Sequence, residues 1–495
     1  MLTTDSQGLV DEVLALSRLA GGPGAVRALL GRLARHTAGT AALVGDDGHL
    51  LAVCPEGGHG PALDAAVRAA PELRRRGVVS AVLPGDQDHP VRLVSLGTGD
   101  EFTPRAPYLV VVGPEERQDT GLLTHAAHLL GLARRLERAE RDCRRLRSAE
   151  GHSREAVLHL LMVGEVAPAR RIAAALRPPL PSHARVLLVD CPADLRTEVA
   201  AHVTRLTGGR AWVVPCPVRV RHLIALVPGA EQREPTDGAR DWADELTAAQ
   251  GNACRVGVSG EVSMSEIPAG YEEAFHGLTV ARGLSGSRTG SGRRADITPF
   301  LNPQGRAWAR ETLEPCLLYT PARRADPGPS ELLGTLSSWL TFGGAAHRHL
   351  KIHRNTLAAR VRLLGSLLGL DLRGVSGQAA AWLALRVRTA QTAPPAPHDA
   401  PASLTDLLAA PPSRDWARSL LAPLEEQGPP AGSETVRAWL RADTQLRPAA
   451  EALGVSVGAV RKRLVGAERT LGRSLLHSPS AKYELWLAMT ALDRW

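Results

Sequence analysis

The sequence predicts a multidomain α+β chain that ends in two all-helical modules. Three observations predict it. At 495 residues the chain exceeds what one hydrophobic core can hold, and the length suggests three or four domains. Mixed helix and strand patterns fill residues 1–115 and 184–285, whereas 298–390 and 404–495 carry helical patterns. Those last two segments also repeat one another.

Taken in order, the first segment opens with apolar residues at helical spacing: Val13, Leu16 and Leu19, then Val26, Leu29, Leu30 and Leu33. Thr40 to Val44, a turn at Asp46, Asp47 and Gly48, and Leu50 to Val53 make a hairpin signature. Val91–Leu96 and Tyr108–Val112 are further strand candidates. His49 and Cys54 fit a turn residue and a core thiol.

A helical linker is expected over 118–180. Between 121 and 150, Leu122, Leu129, Leu136 and Cys143 recur every seven residues, with Leu132, Ala139 and Leu146 at the d positions. That is a heptad seam. In a parallel pair it would set Arg135 near Glu140 of a second chain and Asp142 near Arg147. A homodimer through this helix is the expectation; a helix packed inside its own domain has the same spacing.

Residues 184–285 mix both periods again. Arg185–Val189 is a buried-strand run, Leu195–Leu206 a helix, and Ala211–Val214 with His222–Val227 a strand pair. Cys254–Ser259 is a short strand and Ile267–Leu284 a helix before a Gly/Ser-rich loop. Trp212 fits a core aromatic.

The repeat is legible in tryptophan. Trp308 matches Trp416, Trp339 matches Trp439 and Trp382 matches Trp486, in the same order, in a chain with nine tryptophans. Pro315 matches Pro423, and Leu350–Leu357 aligns with Leu453–Val460. A Pro/Ala-rich linker, Thr389 to Ala402, separates the copies.

Copy two carries the clearer physics. Small Ala450 suits a close helix crossing, Gly454 a turn and Val455 a core plug, while Ser456 can cap the next helix. Val460 and Leu464 fall on the buried face of that helix. Arg461, Lys462 and Arg463 lie in its second turn, where they can reach phosphates and base edges. Copy one instead keeps a polar first turn, His353, Arg354, Asn355 and Thr356, with Ala358 and Ala359 in the second turn and Arg360 and Arg362 beyond. Arg354 could bridge a guanine and Asn355 an adenine edge, while His353 suits either base contact or a cap. Arg348 and Lys351 are expected to neutralise phosphates. Copy one is also three residues shorter: Leu340 to Leu350 spans 10 residues, Leu440 to Leu453 spans 13.

Charge agrees with this placement. The net charge is +8 with a pI near 9.6, carried almost wholly by arginine, since Lys occurs only at 351, 462 and 482. Residues 330–390 hold a net +6 and 433–495 a net +4, so the rest is slightly acidic. Double-stranded DNA is the expected partner.

Several classes are excluded or disfavoured. No Walker loop, GxSxG, HExxH or paired metal carboxylates occur, so neither an enzyme, a metal nor a cofactor is expected. With 4 Phe and 4 Tyr the chain lacks stacking platforms for single strands. A non-catalytic adaptor or RNA-binding protein using the same basic modules remains the alternative. Six cysteines without a CxxC fit a reducing compartment. Acidic residues interrupt the start, and no apolar run approaches the ~20 residues that span a bilayer. A cytoplasmic protein is expected, with no membrane partner.

The helix–hairpin string from Thr40 to Val53 resembles a GAF-like sensor. The order of elements from Arg185, with Arg255–Gly260 followed by Ala269–Arg282, resembles the degenerate GGDEF-like domain of PucR/CdaR-type bacterial regulators. Between its hairpin strands the chain offers Pro215 to Arg221, without the Gly-Gly-acidic turn a diguanylate cyclase needs. His353 to Leu357 with Leu367–Leu372 resembles the C-terminal helix-turn-helix of that family. The resemblance implies a transcriptional regulator with a GAF-like sensor (1–115), a linker (118–180), a GGDEF-like domain (184–285) and helix-turn-helix copies at 298–390 and 404–495. It also implies a sensor region where a small-molecule effector would act, and a dimer or higher oligomer. Tandem C-terminal modules depart from the family pattern.

Overall fold

The computed structural model describes the chain except residues 1–3, 46, 59, 86–88, 98–105, 229–241, 250–252, 284–288, 292–295, 325 and 391–401. Asp46 of the expected turn, much of the Gly/Ser-rich loop and most of the inter-copy linker therefore lie outside the described residues, as does the side chain of Arg147. The chain divides into two compact units, Met1–Ala149 and Glu150–Trp495.

In the first unit the opening helical pattern forms two helices, α1 (Thr4–Leu19) and α2 (Ala25–His36), parted where Gly21, Gly22, Pro23 and Gly24 interrupt it. The expected hairpin is β1 (Thr40–Val44) and β2 (Leu50–Cys54). Helix α3 (Pro61–Arg75) and strands β3 (Ser80–Leu83), β4 (Val91–Ser95) and β5 (Tyr108–Val112) complete an antiparallel sheet in the order β2-β1-β5-β4-β3. One face packs on α1, α2 and the first turns of α4 (Thr120–Met162) through Leu29, Leu33, Leu43, Leu109 and Leu130. The other face packs on α3 through Ala42, Val110, Leu63 and Ala66.

The heptad seam divides. Leu122 is buried and Leu129 packs into the core of its own unit, so the beginning of the seam serves intradomain packing. From Leu132 onward it is free of that core: Leu132, Leu136 and Leu146 are 44, 53 and 69% exposed, with Ala139 and Cys143 exposed between them.

In the second unit, α5 (Val166–Ala173) leads to a sheet built from β6 (His183–Asp190), β7 (Trp212–Pro215), β8 (His222–Pro228), β9 (Arg255–Ser263) and β10 (Thr289–Ser291). Helix α6 (Arg196–Leu206) joins β6 to β7, α7 (Trp242–Ala249) precedes β9, and α8 (Ile267–Gly283) links β9 to β10. The order is β10-β9-β6-β8-β7, antiparallel except that β10 runs parallel to β9. Helix α8 sits close on this sheet at two glycines. A Cβ on Gly257 would lie 1.9 Å from the Ala274 carbonyl oxygen, and one on Gly290 would lie 2.1 Å from that of Gly277. Trp212 is fully buried here, as a core aromatic should be.

The remainder is helical: α9 (Pro303–Leu317), α10 (Pro329–Phe342), α11 (Ala346–His349), α12 (Arg354–Leu368) and α13 (Val375–Thr389), then α14 (Leu404–Ala409), α15 (Pro411–Gln427), α16 (Gly432–Arg441), α17 (Leu446–Leu453), α18 (Val457–Leu471) and α19 (Lys482–Ala491). The two copies do not fold around separate cores. One cluster of buried side chains runs from Phe300 through Trp382 and Trp439 to Met489. Helix α13 is buried nearly all round, with Val375, every residue from Gly377 to Ala384, and Val387 inside; such a helix must be covered on several sides. Helix α9 covers it on one side and α19 on another.

Candidate nucleic-acid interface

The helical pair α17–α18 is built by local chemistry. Gly454 ends α17 at φ +64°, a left-handed conformation that costs glycine little. The Ser456 hydroxyl accepts a hydrogen bond from the Ala459 N–H at 3.1 Å and caps α18. Val460 and Leu464 are fully buried, each contributing about 1.5–3 kcal/mol of apolar burial. Ala449 and Ala450 are buried on α17, where small side chains let the helices approach. Gly472, at φ +63°, ends α18.

With Val460 and Leu464 turned inward, Val457, Gly458, Arg461, Lys462 and Arg469 are left exposed, and Arg463 is half-buried. Gly458, Arg461, Lys462 and Arg469 follow i, i+3, i+4 and i+11 spacing and so share a face. Among the described residues neither Arg461 nor Lys462 forms an ion pair.

Copy one reproduces the backbone with different residues. Helix α12 has 15 residues, as α18 has. Lys351 takes the place of Gly454 and adopts the same left-handed conformation, φ +54°. His353 takes the place of Ser456, its Nδ1 accepting from the Asn355 N–H at 3.2 Å, so the cap is the role the geometry gives it. Gly369, at φ +65°, ends α12 as Gly472 ends α18. The three-residue deficit falls on the first helix of the motif. Helix α11 has 4 residues after a short 3-10 turn, against 8 in α17. Beside it lies an open groove of about 670 Å³ lined by Trp339, His347, Arg348, Arg354 and Leu357 among others.

The expected contact residues of copy one separate into two groups. His353, Arg354, Asn355 and Thr356 are exposed on the first turn of α12. Arg348, Lys351 and Arg360 are engaged within the protein. Arg348 donates to the Val218 carbonyl at 3.4 Å, and Lys351 pairs with Glu155 of α4 at 3.2 Å. The Arg360 guanidinium lies 3.4 Å from the Thr335 hydroxyl and 3.5 Å from the Glu331 carboxylate, its side chain only 17% exposed. Arg348 and Lys351, the expected phosphate contacts, thus also link copy one to the turn after β7 and to α4. His349 completes the attachment: it is buried, its Nε2 is 3.1 Å from His159 Nδ1, and burial lowers its pKa to about 3.

Copy two is attached elsewhere. The Ser474 N–H donates to His276 Nδ1 at 3.1 Å, and Arg219 donates to the Ser478 carbonyl at 2.6 Å. Beside these contacts Arg473 pairs with Glu484 and Arg386 with Glu272, all of them largely buried. Glu272, His276 and Glu484 offer ligand atoms within 4.8 Å of one another. The donor set does not suit a cation: both carboxylates are matched by arginines, and accepting at Nδ1 leaves the neutral imidazole's proton on Nε2. This is a buried ion network joining α8, α13 and copy two.

Comparison with known proteins agrees with the duplication. The model of the PucR C-terminal helix-turn-helix domain matches residues 332–387 and again 433–491. The model of the GGDEF-like domain matches residues 164–280. A solved regulator of polyketide synthase expression from Bifidobacterium adolescentis is 14% identical over 48% of this chain and 91% of its own, with a TM-score of 0.20. No curated protein matches. No helix among the described residues is long and apolar enough to cross a membrane.

Proposed function

We propose, from a chain that carries two PucR-type C-terminal helix-turn-helix domains behind a GGDEF-like domain, that this protein is a sequence-specific, DNA-binding transcriptional regulator. The observation that carries the reading is α18: a capped helix whose apolar face is buried while Arg461 and Lys462 stand exposed beside small first-turn residues. Small residues let the backbone approach a groove, and the two cations reach phosphates or base edges. Copy two is the stronger reader. Copy one contributes Arg354, Asn355 and Thr356, and its Arg348, Lys351 and Arg360 serve attachment.

The GGDEF-like domain acts without catalysis, because the turn from Cys216 to Arg221 holds no acidic residue to bind metal–triphosphate. It couples the linker helix to both reading modules. The N-terminal sheet unit is a GAF-like sensor in this scheme, open to a small-molecule effector. The exposed stripe Leu132, Leu136, Ala139, Cys143 and Leu146 is the surface for a second copy of the chain, with Arg135 set opposite Glu140. The protein works in the cytoplasm.

The test is enrichment of genomic fragments by the full-length chain, followed by competition. A discrete set of duplex sites, not displaced by RNA of the same sequence, is expected. Indifference to sequence, or preference for the RNA, overturns the proposal.

A further inference from the structure

The two helix-turn-helix copies meet in a pattern that reads alike from either end. Helix contacts run α9–α13–α19–α15: first helix, last helix, last helix, first helix. The flanking contacts are reciprocal. The short turn Thr298–Phe300 before α9 reaches over to copy two, where Phe300 meets Trp416 of α15 edge-on at 5.5 Å. Its counterpart before α15, helix α14, reaches back to α9. Hydrogen bonds are exchanged in the same manner. At the start of α13 the Val375 N–H donates to the Asp443 carboxylate, 2.8 Å away, just beyond α16. At the start of α19 the Tyr483 hydroxyl donates to the Leu340 carbonyl near the end of α10, 3.1 Å away. In the middle Lys482 donates to Gln378 at 2.8 Å and the Trp382 and Tyr483 rings lie 6.0 Å apart.

Contacts in which element i of one copy meets element j of the other, and j meets i, are the signature of an isologous, two-fold interface. Here that interface lies within one chain. We infer that the tandem copies form a built-in pair and that one chain recognises a duplex bearing two unlike half-sites. The half-sites differ because the reading faces differ. Helix α12 presents Arg354, Asn355 and Thr356 in its first turn and two alanines in its second; α18 presents small residues first and Arg461 and Lys462 second. A chemically symmetric pair would select a palindrome; this one selects an asymmetric composite of two half-sites. The inference rests on the proposed DNA reading and specifies its substrate.

The experiment is selection of bound duplexes from a random library by the full-length protein and two variants, Arg354→Ala/Asn355→Ala and Arg461→Ala/Lys462→Ala. All four side chains are exposed, so the variants keep the fold; thermal unfolding at the parent temperature confirms it. The expected result is that each variant relaxes its own half-site and leaves the other intact, with about 5- to 150-fold lost discrimination per affected base pair. If chains also pair through α4, the composite recurs whole and the assignment stands. The inference is overturned if both variants relax the same base pairs, or if the α12 variant relaxes none while the α18 variant does. A parent chain that selects no sequence at all overturns the DNA reading itself.

Discussion

Substituting Arg473 and Glu484 separately and together tests the buried ion network that ties copy two to its neighbours. Both side chains are nearly inaccessible, at 6 and 2% exposure, and burial raises the Glu484 carboxyl against the pull of Arg473 and Arg386. Arg473→Met leaves Glu484 with the more distant help of Arg386. The penalty has a ceiling, because an orphaned carboxylate can take up a proton. Starting from an ordinary value of 4.5, that protonation costs about 3 kcal/mol at pH 7 and about 1.4 kcal/mol less for each pH unit below. Glu484→Leu instead takes away the buried carboxylate that Arg473 pairs with, and because a guanidinium cannot shed its proton the resulting loss should not ease on acidification. The double variant removes both charges and should recover most of the stability. Urea unfolding of the full-length chain at pH 5.5 and 7.5, followed by tryptophan fluorescence, measures all three. A deficit of Arg473→Met that is the same at both pH values refutes the reasoning, as does a double variant no better than the worse single.

Three further outcomes follow from the same geometry. Ser456→Ala removes the α18 cap and should cost about 1 kcal/mol in copy two, read as a lower unfolding midpoint; His353→Ala should cost less, its 3.2 Å cap bond being longer and donated to an imidazole. Gly454→Ala forces a Cβ into the left-handed region and should cost about 1 kcal/mol, whereas Lys351→Gly should gain in backbone energy and lose the Glu155 pair, for little net change in midpoint. Burial holds His276 and His349 neutral down to about pH 3, while an unfolded imidazole protonates near 6.5. The unfolded chain therefore binds more protons below pH 6.5, and stability should fall as pH drops through that value toward 3. At pH 5 the loss should be about 2 kcal/mol per histidine, and a flat denaturation profile between pH 7 and 5 would contradict the burial of both rings.

What could be read from the sequence was local. The α17–α18 motif is fixed by a turn glycine, a capping serine and two apolar residues four apart, all within some twenty residues, and the structure places each in the expected role. The repeat was legible because tryptophan is rare. The seam of α4 was legible only as a period, since Leu122 and Leu136 have the same spacing whether they meet a sheet, a second chain or solvent. Likewise nothing near Lys351 announces Glu155, almost two hundred residues earlier, so its ion pair with α4 is not legible in the local pattern. Strand β10 escaped notice because Thr289–Ser291 has weak strand propensity; it exists because α8 returns the chain beside β9, and Gly290 lets the helix lie close. The reciprocal pairing of the copies depends on contacts between residues 68 to 143 positions apart, beyond any periodicity.

The most direct measurement is the salt dependence of duplex affinity for the parent chain and for Arg461→Ala/Lys462→Ala. Removing two cations from the reading face should weaken binding at least tenfold at physiological salt and flatten the logarithmic slope by up to about two, about one for each that neutralises a phosphate. An unchanged affinity with an unchanged slope would mean that α18 does not face DNA, and the account of this chain as a reader of DNA through its second helical copy would be wrong.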